Sequence, residues 1–178
     1  MKEGPVTDYS GLTKKLALPD GFDPPSELRF DDVTARAITR HDVAEDVRGI
    51  NASLDVIRAQ RGGSWPTGPV TEEEIIVDEY WHECEFRDGK SVAFIQRTQG
   101  EAYIGCAYFY PMGVRQPLTA DLAQHDVDVS WWVTPEALRD GYYEKVFRAL
   151  QHWATQDYPF RSPHFSNVQS PAGTGWSP

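Results

Sequence analysis

The segment from residue 126 to residue 153 constrains the fold most, because its apolar pattern changes period within a few residues. Val127, Val129, Trp131 and Val133 alternate with Asp126, Asp128, Ser130 and Trp132, which predicts a strand with one fully buried face and both acids on the other. After a Pro-Glu turn, the apolar residues from Tyr142 onward recur at helical spacing. The change of period predicts a helix that begins near Gly141.

The junction between this strand and this helix is a candidate anion site. A helix that begins just beyond the carboxyl end of a strand presents free backbone N–H groups and a partial positive charge. The sequence therefore predicts a docking place for a phosphorylated cofactor here.

Three segments resemble the GNAT superfamily of acyl-CoA-dependent N-acyltransferases: residues 128–136 (DVSWWVTPE), 34–43 (TARAITRHDV) and 167–170 (NVQS). The first resembles the strand that precedes the family's pyrophosphate loop, Q/R-x-x-G-x-G/A. In that register Glu136 stands at the Gln/Arg position, Arg139 at the first glycine and Gly141 at the second, so the chain keeps one of three signature residues. Residues 34–43 resemble the family's first strand. Residues 167–170 resemble the N-x-x-S motif that follows the family's fifth strand.

The order of predicted elements indicates an α/β (α+β) sandwich. The resemblance implies a GNAT-like mixed, mostly antiparallel sheet flanked by helices. We expect an N-terminal arm over residues 1–33, rich in turn-forming residues, and one acyltransferase-like domain over residues 34–178. The helix and strand pair that usually follow the family's fifth strand have no counterpart before residue 178. We expect the layer that this helix and strand pair would form to come from the arm or from another subunit of a homodimer, or to be missing.

Local patterns also predict individual elements. Strands are expected over residues 34–39, 92–97, 102–110 and 164–168, and a first helix over residues 42–59. Thr71 and Glu74 form the pattern of a capping box at the start of an acidic helix. That helix is expected to bury one apolar set: Ile76, Val77, Tyr80, Trp81 and Cys84.

Charge and composition exclude several classes of function. A net charge of -10 argues against nucleic acid, whose phosphates require a basic surface. No apolar run reaches the roughly 20 residues that span a bilayer, so no membrane association is expected. Without a signal-peptide pattern at its start, the chain is expected to be cytoplasmic, with Cys84 and Cys106 as free thiols.

The resemblance implies an N-acetyltransferase that uses acetyl-CoA as co-substrate and no metal. The acceptor would be an amine of a small molecule or peptide, which attacks the thioester directly in a ternary complex. Asp128 aligns with the acid that serves as base in the family. Asp126 lies on the same face, and two neighbouring carboxylates raise the pKa of one of them. The alternative interpretation makes both of them solvated surface acids.

The expected cofactor contacts are Val133, Arg139, Gly141 and Tyr142, and the expected acceptor contacts are Trp65 and Trp132. Arg139 can pair with a phosphate, but Glu136 and Asp140 bring negative charge to the same helix end. The degenerate loop therefore leaves a second hypothesis open, a catalytically silent GNAT-like module that binds a ligand or a partner protein.

Overall fold

A computed structural model describes residues 14–173 and builds them around a six-stranded sheet. The strands are β1 (Glu27–Phe30), β2 (Val33–Ala37), β3 (Val92–Thr98), β4 (Tyr103–Tyr110), β5 (Val127–Val133) and β6 (Pro163–Phe165). Their order in the sheet follows the chain, and every neighbouring pair is antiparallel except β5 and β6, which are parallel. The predicted mixed, mostly antiparallel sheet is confirmed.

Helices cover both faces of this sheet. They are α1 (Val43–Asn51), α2 (Leu54–Arg61), α3 (Glu72–Arg87), α4 (Pro135–Arg139) and α5 (Tyr142–His152). The first three enclose one apolar core against Ile95, Cys106 and Trp132, and α5 encloses the other against Val129 and Trp131. The alternation predicted for β5 is confirmed, since its odd residues face α5 and Trp132 faces the opposite core. Both faces are buried, however, so the alternative interpretation of Asp128 as a solvated surface acid was wrong.

Helix α3 differs from its prediction. Its capping box is present, because the Thr71 hydroxyl accepts the Glu74 N–H and the Glu74 carboxylate accepts the Thr71 N–H. Its buried face, however, consists of Ile75, Glu79 and His82. The predicted core residues are exposed or only partly buried, so that assignment of the buried face was wrong: Ile76, Val77, Tyr80, Trp81 and Cys84.

Other boundaries shift by a few residues. The helix predicted over residues 42–59 is interrupted at Ala52 and Ser53, yet Ile50 of α1 and Ile57 of α2 still enter one core. Strand β1 lies inside the region predicted as an arm, and residues 1–13 of that arm lie outside the described residues. None of the helices between residues 14 and 173 is both long and apolar enough to span a bilayer.

Candidate functional site

Asp128 lies on β5, close to the point where β5 and β6 cease to pair. Its side chain is 1% exposed. Its Oδ1 accepts a hydrogen bond from the Ser166 hydroxyl at 2.5 Å and lies 3.8 Å from the Arg115 guanidinium. Its Oδ2 is buried without a hydrogen-bond partner among the described residues. Since buried carboxylate oxygens are normally satisfied, the free Oδ2 is the feature most suggestive of function.

Strand register places aromatic and polar side chains on the same face as Asp128. In the β4–β5 pairing, Tyr110 lies opposite Asp128 and Tyr108 opposite Ser130. The Arg61 guanidinium stacks 4.1 Å from the centre of the Tyr108 ring and donates to the Ser130 hydroxyl at 3.3 Å. Arg61 therefore connects the end of α2 to the strand that carries Asp128.

A cavity of about 210 Å³ opens on this face. Its lining combines aromatic rings, an imidazole, a guanidinium and a carboxylate: Arg61, Trp65, Asp78, His82, Tyr108 and Tyr110. Trp65 stands at the rim with 41% of its surface exposed. Burial raises the pKa of both tyrosine phenols, which therefore keep their protons near neutral pH.

Trp132 takes a different position from Trp65. It is fully buried, and its indole N–H donates to the Tyr108 hydroxyl at 3.2 Å. Trp132 therefore supports the floor of the cavity through Tyr108, while its role in acceptor binding stays a prediction.

Asp126 and Asp128 have different partners. The Asp126 carboxylate accepts the backbone N–H groups of Arg161 and Ser162 at 2.7 and 3.1 Å. These bonds fix the turn that leads into β6. Asp126 therefore stabilises this turn, and within residues 14–173 its carboxylate shares no hydrogen-bond partner with that of Asp128.

The edge of β5 beyond Val129 is occupied by side chains. The Asn167 amide accepts the Trp131 N–H and donates to the Trp131 carbonyl, at 3.1 and 2.9 Å. The Val133 N–H donates to the Gln60 side-chain oxygen at 2.8 Å. A ligand that accepts a hydrogen bond from the Val133 N–H must displace Gln60, because a single N–H group does not donate well to the Gln60 oxygen and to the ligand at once.

The predicted cofactor loop is a short helix followed by a glycine. The Thr134 hydroxyl caps α4, and Gly141, at φ +78°, precedes α5. Arg139 is exposed at the end of α4. The Tyr142 hydroxyl donates to the Asp32 carboxylate at 3.0 Å, so this predicted contact is engaged with the β1–β2 turn.

Charge around the start of α5 is mainly negative. Glu136, Asp140 and Glu144 lie in this region, and Lys145 is paired with Asp32 at 2.8 Å. Carboxylates here interact favourably with the helix dipole and repel a diphosphate. Arg139 is the residue best suited to offset that repulsion.

Four residues around Asp128 were not predicted from the sequence: Arg61, Arg115, His164 and Ser166. His164 lies beside Asp128 in the β5–β6 register, and burial lowers its pKa. Arg115 also donates to the Arg61 carbonyl at 3.3 Å. Arg61 precedes a Gly-Gly pair that signals a helix end, but no local pattern singles out Arg115.

Comparison with protein-family models and with curated proteins finds no match. Solved structures do match. An acetyltransferase (GNAT family) from Bacillus anthracis is 16% identical with a TM-score of 0.50, covering 73% of this chain and 66% of that one. RimL, a ribosomal alpha-N-protein acetyltransferase solved with coenzyme A, is 15% identical with a TM-score of 0.52, covering 74% and 70%.

The microcin self-immunity acetyltransferase MccE, solved with acetyl-CoA and AMP, is 12% identical with a TM-score of 0.55, covering 74% of this chain and 68% of that one. At sequence identities this low, structural similarity establishes the fold alone. The fold implied by the resemblance to the GNAT superfamily is therefore confirmed.

Proposed function

We propose, from the GNAT acetyltransferase fold of this chain, that it is an N-acyltransferase acting on an amine of a small molecule or peptide, with acetyl-CoA as the acyl donor. The observation that carries the proposal is the buried carboxylate of Asp128, whose Oδ2 has no partner among the described residues. Asp128 does not itself line the cavity beside Trp65, but Tyr110, which does, is its partner in the β4–β5 pairing. A carboxylate in such a place is suited to proton transfer.

Asp128 would take a proton from the acceptor. An alkylammonium must lose a proton before it attacks, which costs about 4–5 kcal/mol at pH 7. Ser166 and Arg115 hold Oδ1, which leaves Oδ2 free to accept that proton. The amine nitrogen would then bond to the acyl carbon of the donor as the carbon–sulfur bond of the thioester breaks and CoA leaves as the thiolate, which takes up a proton. Holding amine and thioester together can contribute roughly 7 to 11 kcal/mol.

The lining of the cavity supports an amine acceptor. Trp65 and Tyr110 offer ring faces, which attract ammonium groups, and Asp78 adds a carboxylate. Arg61 is engaged with Tyr108 and Ser130 and would act by holding this wall in place.

A second candidate function, the catalytically silent binding module, is supported by the occupied edge of β5. Gln60 and Asn167 already satisfy the backbone groups of Val133 and Trp131. The acids near the start of α5 also disfavour a diphosphate. If these groups keep their positions, the fold binds some other ligand through the cavity.

Binding of acetyl-CoA separates the two functions. Titration calorimetry of the full chain is expected to give an affinity between micromolar and millimolar, and CoA serves as the matched ligand without the acetyl group. Absence of heat, together with absence of a thermal shift at saturating millimolar ligand, would leave the silent module as the function of this fold.

A further inference from the structure

The outward face of α3 carries large apolar side chains. Ile76, Val77, Tyr80 and Trp81 are exposed by 45%, 69%, 47% and 45%. The inward face holds Glu79 and His82 instead. Contiguous apolar surface of this kind is typical of a site of protein association.

Residues on the outward side of α3 follow the spacing of a helix-pairing seam. The exposed Glu73, Val77, Tyr80 and Arg87 and the half-buried Cys84 recur at intervals of four, three, four and three residues. This is the a/d repeat by which two helices pack side by side. Ile76 and Trp81 flank the seam and widen its apolar centre.

We propose that a second copy of this chain covers the seam, with its α3 antiparallel to the first. The first turn of α3 carries Glu72, Glu73 and Glu74, and its last turn carries Arg87. A two-fold axis near Tyr80 brings Glu73 beside Arg87 of the second copy. A parallel arrangement would place acid against acid, so charge selects the antiparallel one.

The antiparallel register also brings Val77 beside Cys84 of the second copy. Tyr80 then meets its own symmetry mate at the axis. Its ring is already held from one side, because the Arg40 guanidinium stacks 4.2 Å from the ring centre and pairs with Glu83. The proposal is independent of acyl transfer, since no seam residue lines the cavity beside Trp65.

Sedimentation equilibrium of charge variants tests the seam. Glu73→Arg and Arg87→Glu should each raise the dimer dissociation constant roughly tenfold, because two symmetric pairs become repulsive. The double variant should return to within about threefold of the wild type, since the pairs re-form with reversed sign. Arg148→Glu, on an exposed position of α5, is the matched control and should leave association unchanged.

A disulfide provides the geometric test. Val77→Cys should form a covalent dimer with the native Cys84 under mild oxidation, seen on a non-reducing gel. In the proposed register the symmetry mate of residue 77 lies level with Glu83, so the two copies of residue 77 are about 9 Å apart along the helix, six residues at about 1.5 Å each. That distance exceeds the roughly 7 Å limit for a disulfide, so Val77→Cys combined with Cys84→Ser should stay uncrosslinked.

Three results would overturn the proposal. The first is a wild-type chain that stays monomeric at high micromolar concentration. The second is crosslinking of the Val77→Cys, Cys84→Ser variant, which requires parallel helices or an antiparallel pair with its axis near residue 77. The third is a double charge variant that associates no better than either single variant.

Discussion

Replacing Glu79 by glutamine should stabilise this protein at neutral and alkaline pH. Glu79 lies on the inward face of α3, is 1% exposed, and has no hydrogen-bond partner for either carboxylate oxygen among the described residues. Burial, reinforced by the charges of Asp46 and Asp42, raises its pKa from 4.5 to about 9. The folded chain therefore holds this group protonated, whereas the unfolded chain releases the proton above pH 4.5.

The sign and size follow from proton linkage. A raised folded-state pKa gives stability that is fully present below pH 4.5 and is lost as the pH rises towards 9. Each pH unit in this window removes about 1.4 kcal/mol, so the loss at pH 7 is up to about 3 kcal/mol. The pKa of Asp46 is also raised by its burial, so the two acids share part of this effect.

The assay is urea unfolding followed by tryptophan fluorescence at pH 5, 6, 7 and 8. Glu79→Gln should match the wild type near pH 5 and exceed it by up to about 3 kcal/mol at pH 7, because the amide, unlike the carboxylate, does not have to take up a proton when the chain folds. Glu72→Gln, at an exposed position of the same helix outside the seam, should change the free energy of unfolding by less than about 0.5 kcal/mol. Parallel stability curves for Glu79→Gln and wild type would refute the assigned pKa shift.

Three further substitutions test the site and the sheet. Asp128→Asn should lower kcat/KM for an identified acceptor by about 10² or more at pH 7, with a smaller deficit at higher pH; turnover within twofold of wild type across pH 6 to 9 would remove Asp128 from the mechanism. Arg139→Gly should weaken acetyl-CoA binding by about 1.5 to 3 kcal/mol in calorimetry if its guanidinium pairs with a phosphate. Tighter binding would identify it as an obstruction, and an unchanged affinity would place the docking site elsewhere. Gly105→Ala should cost about 3 kcal/mol or more in urea unfolding, because Gly105 has φ +138° and an added Cβ would lie 2.1 Å from the Trp132 carbonyl oxygen. Gly100→Ala, where the nearest atom would lie at 3.6 Å, is its control.

The pattern within single segments determined much of the fold. The alternation from Val127 to Val133 predicts both faces of β5, because neighbouring side chains of a strand point to opposite sides of the sheet. The capping box of Thr71 and Glu74 was likewise predictable, since its hydrogen bonds join residues three positions apart. Asp128 could be selected because its own segment resembles the GNAT strand, in which its position is that of the acid that serves as base.

The surroundings of Asp128 could not be predicted in the same way. Arg115 meets Ser166 and the carbonyl of Arg61 across 51 and 54 positions of the chain. None of these residues belongs to a periodic pattern that marks its partner. Only the packing of α2 and the connection after β4 against β5 and β6 brings them together.

The orientation of α3 was decided entirely by the tertiary structure. Apolar residues occur on more than one side of this helix, so the sequence allows a buried face built on either Ile76 or Ile75. The folded chain turns Ile75, Glu79 and His82 inward and leaves Ile76, Val77, Tyr80 and Trp81 outside. A helix buries the face that the rest of the chain can cover, and that surface is built by residues distant in sequence.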